Sequence, residues 1–150
     1  MFSQTADYAL RAIVVLATDV KKTWTAQEIS AQSKVPQDYL MKVFQALGRA
    51  GLVTAQRGRG GGFSLTRPPT EISVLDVISV VDPLRRIAYC PLGIEAHGTT
   101  LCPLHRKLDD AIRSVEEAFA STTIGELLAD PSPIRPLREG EALCHVQIAQ

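Results

Sequence analysis

Cys90 and Cys102 enclose eleven residues and His105 follows Cys102 with two residues between, a Cys-x11-Cys-x2-His run with Gly93, His97 and Gly98 inside it. Soft thiolates and imidazoles at loop spacing are the donors an iron–sulfur cluster or a zinc ion takes. The same residues also read as packed or inert cysteines beside surface histidines, or as thiols open to oxidation without any metal. A third cysteine, Cys144, stands far downstream. Three is an odd number, which argues against a disulfide framework and for free thiols or metal ligation.

These donors must be held by elements on either side. Residues 83–101 carry no helical or strand periodicity and read as a long loop, a length usually reserved for function or disorder. Pro103 suits the first position of a helix and places Cys102 at or beside its N-cap. That helix carries Leu104, Leu108, Ala111, Ile112, Val115 and Phe119 at helical spacing. Its other face is charged with Arg106, Lys107, Asp109, Asp110, Arg113, Glu116 and Glu117. Thr123 and Glu126 form a T-x-x-E capping box for a short helix ending near Leu128. From Asp130 onward, prolines and mixed polar residues predict a flexible tail.

Upstream of the loop, residues 3–18 form a helix with apolar residues on more than one face, a hint of burial on two sides. Thr25 and Glu28 make a capping box for a second helix reaching about Ser33. Ser33-Lys34-Val35 is the turn, and Pro36 is expected at the first position of a third helix. Leu40, Val43, Phe44 and Leu47 are its buried stripe, and Gly51 suits a left-handed cap. Its outer face presents Gln37, Asp38, Met41, Lys42, Gln45 and Arg49, donors and acceptors fit for base edges and phosphates.

Leu52–Arg57 and Phe63–Arg67 are strand-like, and the run Gly58-Arg59-Gly60-Gly61-Gly62 joins them into a hairpin with Arg57 and Arg59 at its tip. A helix-turn-helix followed by such a hairpin is a winged helix, and arginines at the wing tip fit a minor groove. The glycines do not make a nucleotide-binding loop, since no G-K-S/T follows and the run enters a strand. Ser73 caps a short apolar helix, Val74–Val81.

Composition agrees. The chain has 150 residues, 45% hydrophobic and formally neutral. The neutrality is divided: residues 1–67 hold nine Lys or Arg against four Asp or Glu, and residues 68–150 hold seven against twelve. The basic part suits phosphate contact. No apolar run approaches the roughly 18 residues of a membrane span, and the first residues, MFSQTADYAL, lack a signal-peptide pattern, so a cytoplasmic location is expected. No nucleophile–base arrangement has a recognisable local signature, which leaves a metal-dependent enzyme a weak alternative.

The motifs T-A-D-Y-A-L-R-A at 5–12, Y-L-M-K-V-F-Q-A-L at 39–47, A-G-L-V at 50–53, R-G-R-G-G-G-F-S-L at 57–65 and C-P-L-H at 102–105 resemble the IscR/NsrR-type family of bacterial winged-helix transcription regulators. The resemblance spans residues 1 to about 128. It implies a mainly α fold with a small β-hairpin wing, a winged helix-turn-helix followed by a long C-terminal dimerisation helix. It divides the chain into a DNA-binding domain at 1–82, a cofactor or sensor loop at 83–101, the dimerisation helix and a short helix at 102–129, and a tail at 130–150. It implies a homodimer on palindromic double-stranded DNA, read through Gln37, Asp38, Lys42, Gln45, Arg57 and Arg59. It also implies a 2Fe–2S cluster on Cys90, Cys102 and His105, with Asp7 of the first helix matching a further ligand. The chain departs from the family at the middle cysteine, where Ala96 stands beside His97. A regulator of the same fold without a cluster, switched by thiol oxidation or a partner protein, is the alternative.

Overall fold

The computed structural model describes residues 2–94, 100–132 and 136. Ala96, His97 and Cys144 lie outside the described residues, as does most of the expected tail. The elements run α1 (Gln4–Thr18), α2 (Ala26–Ser33), α3 (Gln37–Arg49), β1 (Val53–Gln56), β2 (Gly62–Leu65), a 3-10 turn (Pro69–Glu71), α4 (Val74–Val81), α5 (Pro103–Ala120) and α6 (Ile124–Ala129). No helix among the described residues is long and apolar enough to cross a membrane.

Local chemistry sets most of the helix starts. Ser3 caps α1 by accepting from the Ala6 N–H. Thr25–Glu28, Ser73–Asp76 and Thr123–Glu126 each close a reciprocal capping box, satisfying two N–H groups that a helix start leaves unpaired. Pro36 is the N-cap of α3 and not its first helical residue: its ψ of 139° is extended, and its carbonyl accepts from the N–H groups of Tyr39 and Leu40. Lys34 makes the turn before it with a left-handed φ of 57°. Against the expected 52–57 and 63–67, the paired residues are Val53–Gln56 and Gly62–Leu65: Arg57 enters the glycine turn, and beyond Leu65 one further bond, Thr66 N–H to the Leu52 carbonyl at 3.2 Å, closes the hairpin; the register is Val53↔Leu65 to Gln56↔Gly62.

α1 is the hub of the core. Ala6, Ala9, Ala12, Ile13, Val15 and Leu16 are almost wholly buried, and the helix packs on α2, α3, α4, α6 and β2. Its second apolar face, expected to hint at an interface, is therefore covered largely within the chain. A bridge between Ser73 and Thr123 draws α6 back onto the domain, with the Ile124 N–H bonded to the Ile72 carbonyl at 2.8 Å. α5 behaves differently, with no buried residue along its length. Leu104 is 64% and Leu108 48% exposed, whereas Phe119 packs on the core and meets the Phe2 ring at 5.0 Å.

Candidate nucleic-acid interface

α3 buries Leu40, Val43, Phe44 and Leu47 and turns Gln37, Asp38, Met41, Lys42, Gln45 and Arg49 to solvent. The wing is fixed to this helix by an aromatic stack: the Phe44 and Phe63 rings lie 4.2 Å apart and 14° from parallel. Phe63 is also paired through its backbone to Trp24, its N–H donating to the Trp24 carbonyl at 2.7 Å and its carbonyl accepting from the Trp24 N–H at 2.9 Å. The segment before α2 thus adds a one-residue antiparallel bridge to β2. Gly62, at φ 153°, lies against the Trp24 carbonyl where a Cβ would collide. Trp24 is a packing residue, 5% exposed, with the Lys22 ammonium 4.0 Å from its ring centroid.

Arg57 and Arg59 stand exposed at the wing tip. Among the described residues, no ion pair engages Lys42, Arg49, Arg57 or Arg59. By contrast Arg11 is held by Asp7 at 2.7 Å and Arg67 by Asp76 at 3.4 Å. Lys42 lies 5.5 Å from the centroid of the Tyr39 ring, which in turn meets Tyr8 of α1 edge-on at 5.4 Å. Lys21, Arg85 and Lys107 are exposed without an ion pair among the described residues as well; what sets Lys42, Arg49, Arg57 and Arg59 apart is that they share the outer face of α3 and the adjoining wing tip, held at a fixed offset by the Phe44–Phe63 stack. A rigid helix with an adjoining basic hairpin matches a duplex groove and the backbone beside it.

The cysteine loop is a second locus. Cys102 is the N-cap of α5 and its Sγ lies 3.2 Å from Nδ1 of His105, one turn into the helix. Cys90 is a free thiol, 7% exposed, in a turn closed by the Gly93 N–H to its carbonyl at 3.1 Å. Asp7 is exposed in the first turn of α1 and engaged by Arg11. A 2Fe–2S cluster takes four protein ligands. Among the described residues, no three His, Cys, Asp or Glu side chains come together as a metal site. The contact between Cys102 and His105 is the part of the expected ligand set that the structure assembles, so the described residues do not fit a cluster by themselves.

One residue absent from the expected site organises this region. Arg86 grips Asp109 of α5 with two parallel hydrogen bonds, Nε to Oδ1 at 2.7 Å and an Nη to Oδ2 at 2.5 Å, and reaches Glu116 at 3.5 Å. The Ile87 N–H adds a bond to Asp109 Oδ1 at 2.8 Å. Arg86 first, and then the Ile87 N–H, hold the Asp109 carboxyl down at about 2. The charge on Asp109 was visible in the sequence; its partner, twenty-three positions away, was not.

Comparison with known proteins agrees with this architecture. The family model Rrf2, described as an iron-dependent transcriptional regulator, matches residues 2–130. An HTH-type transcriptional regulator of Aquifex aeolicus is 30% identical over 131 residues, covering 85% of this chain and 91% of the relative. Among solved structures, IscR of T. potens superposes with a TM-score of 0.73 at 24% identity, covering 88% of each chain. CymR, the global cysteine regulator of B. subtilis, superposes with a TM-score of 0.72 at 23% identity, covering 86% of this chain and 96% of CymR.

Proposed function

Because the chain belongs to the Rrf2 family of winged-helix transcription regulators, and is a DNA-binding regulator and not an enzyme, we propose that it acts in the cytoplasm as a homodimer on a palindromic operator. One observation carries the proposal: Lys42, Arg57 and Arg59 are exposed and unpaired on two elements locked together by the Phe44–Phe63 stack. α3 enters the major groove with Gln37, Asp38, Lys42 and Gln45 toward base edges and phosphates, and the wing arginines reach the adjoining minor groove or backbone. A second copy covers the exposed Leu104 and Leu108 end of α5. Two-fold symmetry then gives two half-sites about one helical turn, or a multiple, apart. Lys42→Ala tests the reading by titration against an operator selected from random duplexes; it weakens binding if α3 is the reading helix, and unchanged binding removes α3 from the interface.

The input is read at the loop. The Cys102–His105 contact at the head of α5 suits a redox-active thiol and a pair of metal ligands alike; the thiol is taken first because Ala96 stands where the family has its middle cysteine. Protein isolated without oxygen decides between the two: no iron or sulfide, with operator affinity sensitive to Cys102→Ala, is the expected result. Stoichiometric iron and sulfide lost in Cys90→Ala and Cys102→Ala would instead establish the 2Fe–2S alternative, with His105 and a ligand such as Asp7 or His97 completing it.

A further inference from the structure

Among the described residues, the segment that carries Cys90 is tied to α5 by a polar knot. Asp109 accepts three hydrogen bonds from Arg86 and Ile87 and its side chain is only 15% exposed, while the Arg86 guanidinium extends on to Glu116, two helical turns further along α5. The chain then runs through Cys90 and re-enters the same helix at Cys102, the N-cap two turns before Asp109. Both ends of this loop are therefore fixed to one helix, one covalently and one by the knot. Among the described residues after Arg86, the loop contributes little of its own: Tyr89 is 73% and Leu92 74% exposed, and Cys90 alone is buried.

On the other side of Arg86, Asp82, the C-cap of α4, accepts the N–H of Ser3, the N-cap of α1, at 2.9 Å. α1 carries Tyr8 against Tyr39 of the reading helix. The residues between Asp82 and Arg86 thus join the start of α1 to the middle of α5.

We propose that Arg86 and Asp109 are positioning residues that hold the segment at Cys90 to α5 and keep Cys90 sequestered, leaving Cys102 the more open of the two described thiols. This deepens the thiol reading above and rests on it for its regulatory meaning, but the sequestering is a property of the fold alone. Bidentate pairing of a guanidinium with a carboxylate is directional, so an amide or an ammonium cannot reproduce it. Asp109→Asn keeps the side-chain volume, and Arg86 is 39% exposed at its side chain, so neither exchange removes an apolar contact of the hydrophobic core.

The test is thiol alkylation of the reduced full-length protein by iodoacetamide, with each cysteine followed by peptide mass spectrometry and folding checked by circular dichroism. In the parent, Cys90 reacts more slowly than Cys102. Arg86→Gln and Asp109→Asn each raise the Cys90 rate by about tenfold or more, as local opening becomes easier once charge-assisted bonds are lost, and leave the Cys102 rate within about threefold. Arg86→Lys keeps the charge without the fork and gives an intermediate rate. A Cys90 rate unchanged in both variants overturns the proposal, as does an equal rise at both cysteines, which would mean general loosening. Operator affinity measured on the same samples separates the two claims: a parent with the expected thiol pattern and no operator binding refutes the proposed function and leaves the knot standing.

Discussion

Replacing both Arg57 and Arg59 with Ala isolates the wing's electrostatic share of DNA binding. Both side chains are exposed and unpaired among the described residues, so their removal breaks no ion pair and opens no cavity in the free protein. The flanking glycines keep the turn: Gly58 and Gly60 hold φ of 95° and 78°, which the substitutions do not touch. The change then falls on the complex alone. Each phosphate contact releases condensed counterions and contributes about 0.9 to the slope of log affinity against log salt. Two lost contacts lower the magnitude of that slope by about 1.8, and the drop in affinity between about 50 and 200 mM salt shrinks about twelvefold. Fluorescence anisotropy of a labelled duplex titrated at four or five salt concentrations reads both numbers. A double variant whose slope matches the parent's would show that the wing does not touch the backbone, and the basic hairpin would have to be read as a solvated surface.

Three further outcomes follow from the same geometry. Leu108→Asp places a charge on the exposed end of α5 and yields a folded monomer by sedimentation at micromolar concentration, with a melting temperature close to that of the parent protomer; a retained dimer would move the seam elsewhere. Gly62→Ala forces a Cβ onto the Trp24 carbonyl at a left-handed φ and destabilises the fold by about 1–3 kcal/mol, with a change in the emission of Trp24, the single tryptophan; unchanged emission and urea midpoint would refute the close approach. The Glu28 carboxyl is held down at about 2, first by its bond to Lys22 and then by the Thr25 N–H. Because the folded value is depressed, the stability it contributes is complete above the ordinary carboxylate range near pH 4.5 and is lost as pH falls toward 2. Glu28→Gln should therefore flatten that part of the stability profile, and a profile identical to the parent's would contradict the assignment.

The readable parts of the sequence were those whose physics is local. The Thr25 and Thr123 boxes are complete within four residues, and the α3 stripe and the Cys102 cap follow from spacing and from Pro103. Pro36 was misplaced by one position because proline is as compatible with an extended N-cap as with a first helical residue, and only the ψ it adopts decides. The strand ends are not legible because Arg57, Thr66 and Arg67 are as compatible with a strand as with the turn beside it, and only the pairing decides. The Ser73–Asp76 box is equally local, with aspartate doing there what glutamate usually does. The pairing of Asp7 with Arg11 was also legible, at i and i+4, and it engages a carboxylate that the family resemblance offered as a ligand. What composition and periodicity could not show are the contacts between distant segments. Phe44 on Phe63, Trp24 on the wing and Arg86 on Asp109 join residues whose partners are chosen by packing of the whole chain.

The most direct test of the account is a hydroxyl-radical footprint of the protein on the duplex it selects from a random pool. The account predicts two protected half-sites related by two-fold symmetry, their centres about 34 Å or a multiple apart along the duplex, with protection lost when Lys42 is replaced by Ala. Recovery of no preferred sequence, or a single unsymmetrical footprint from a monomer, would contradict it.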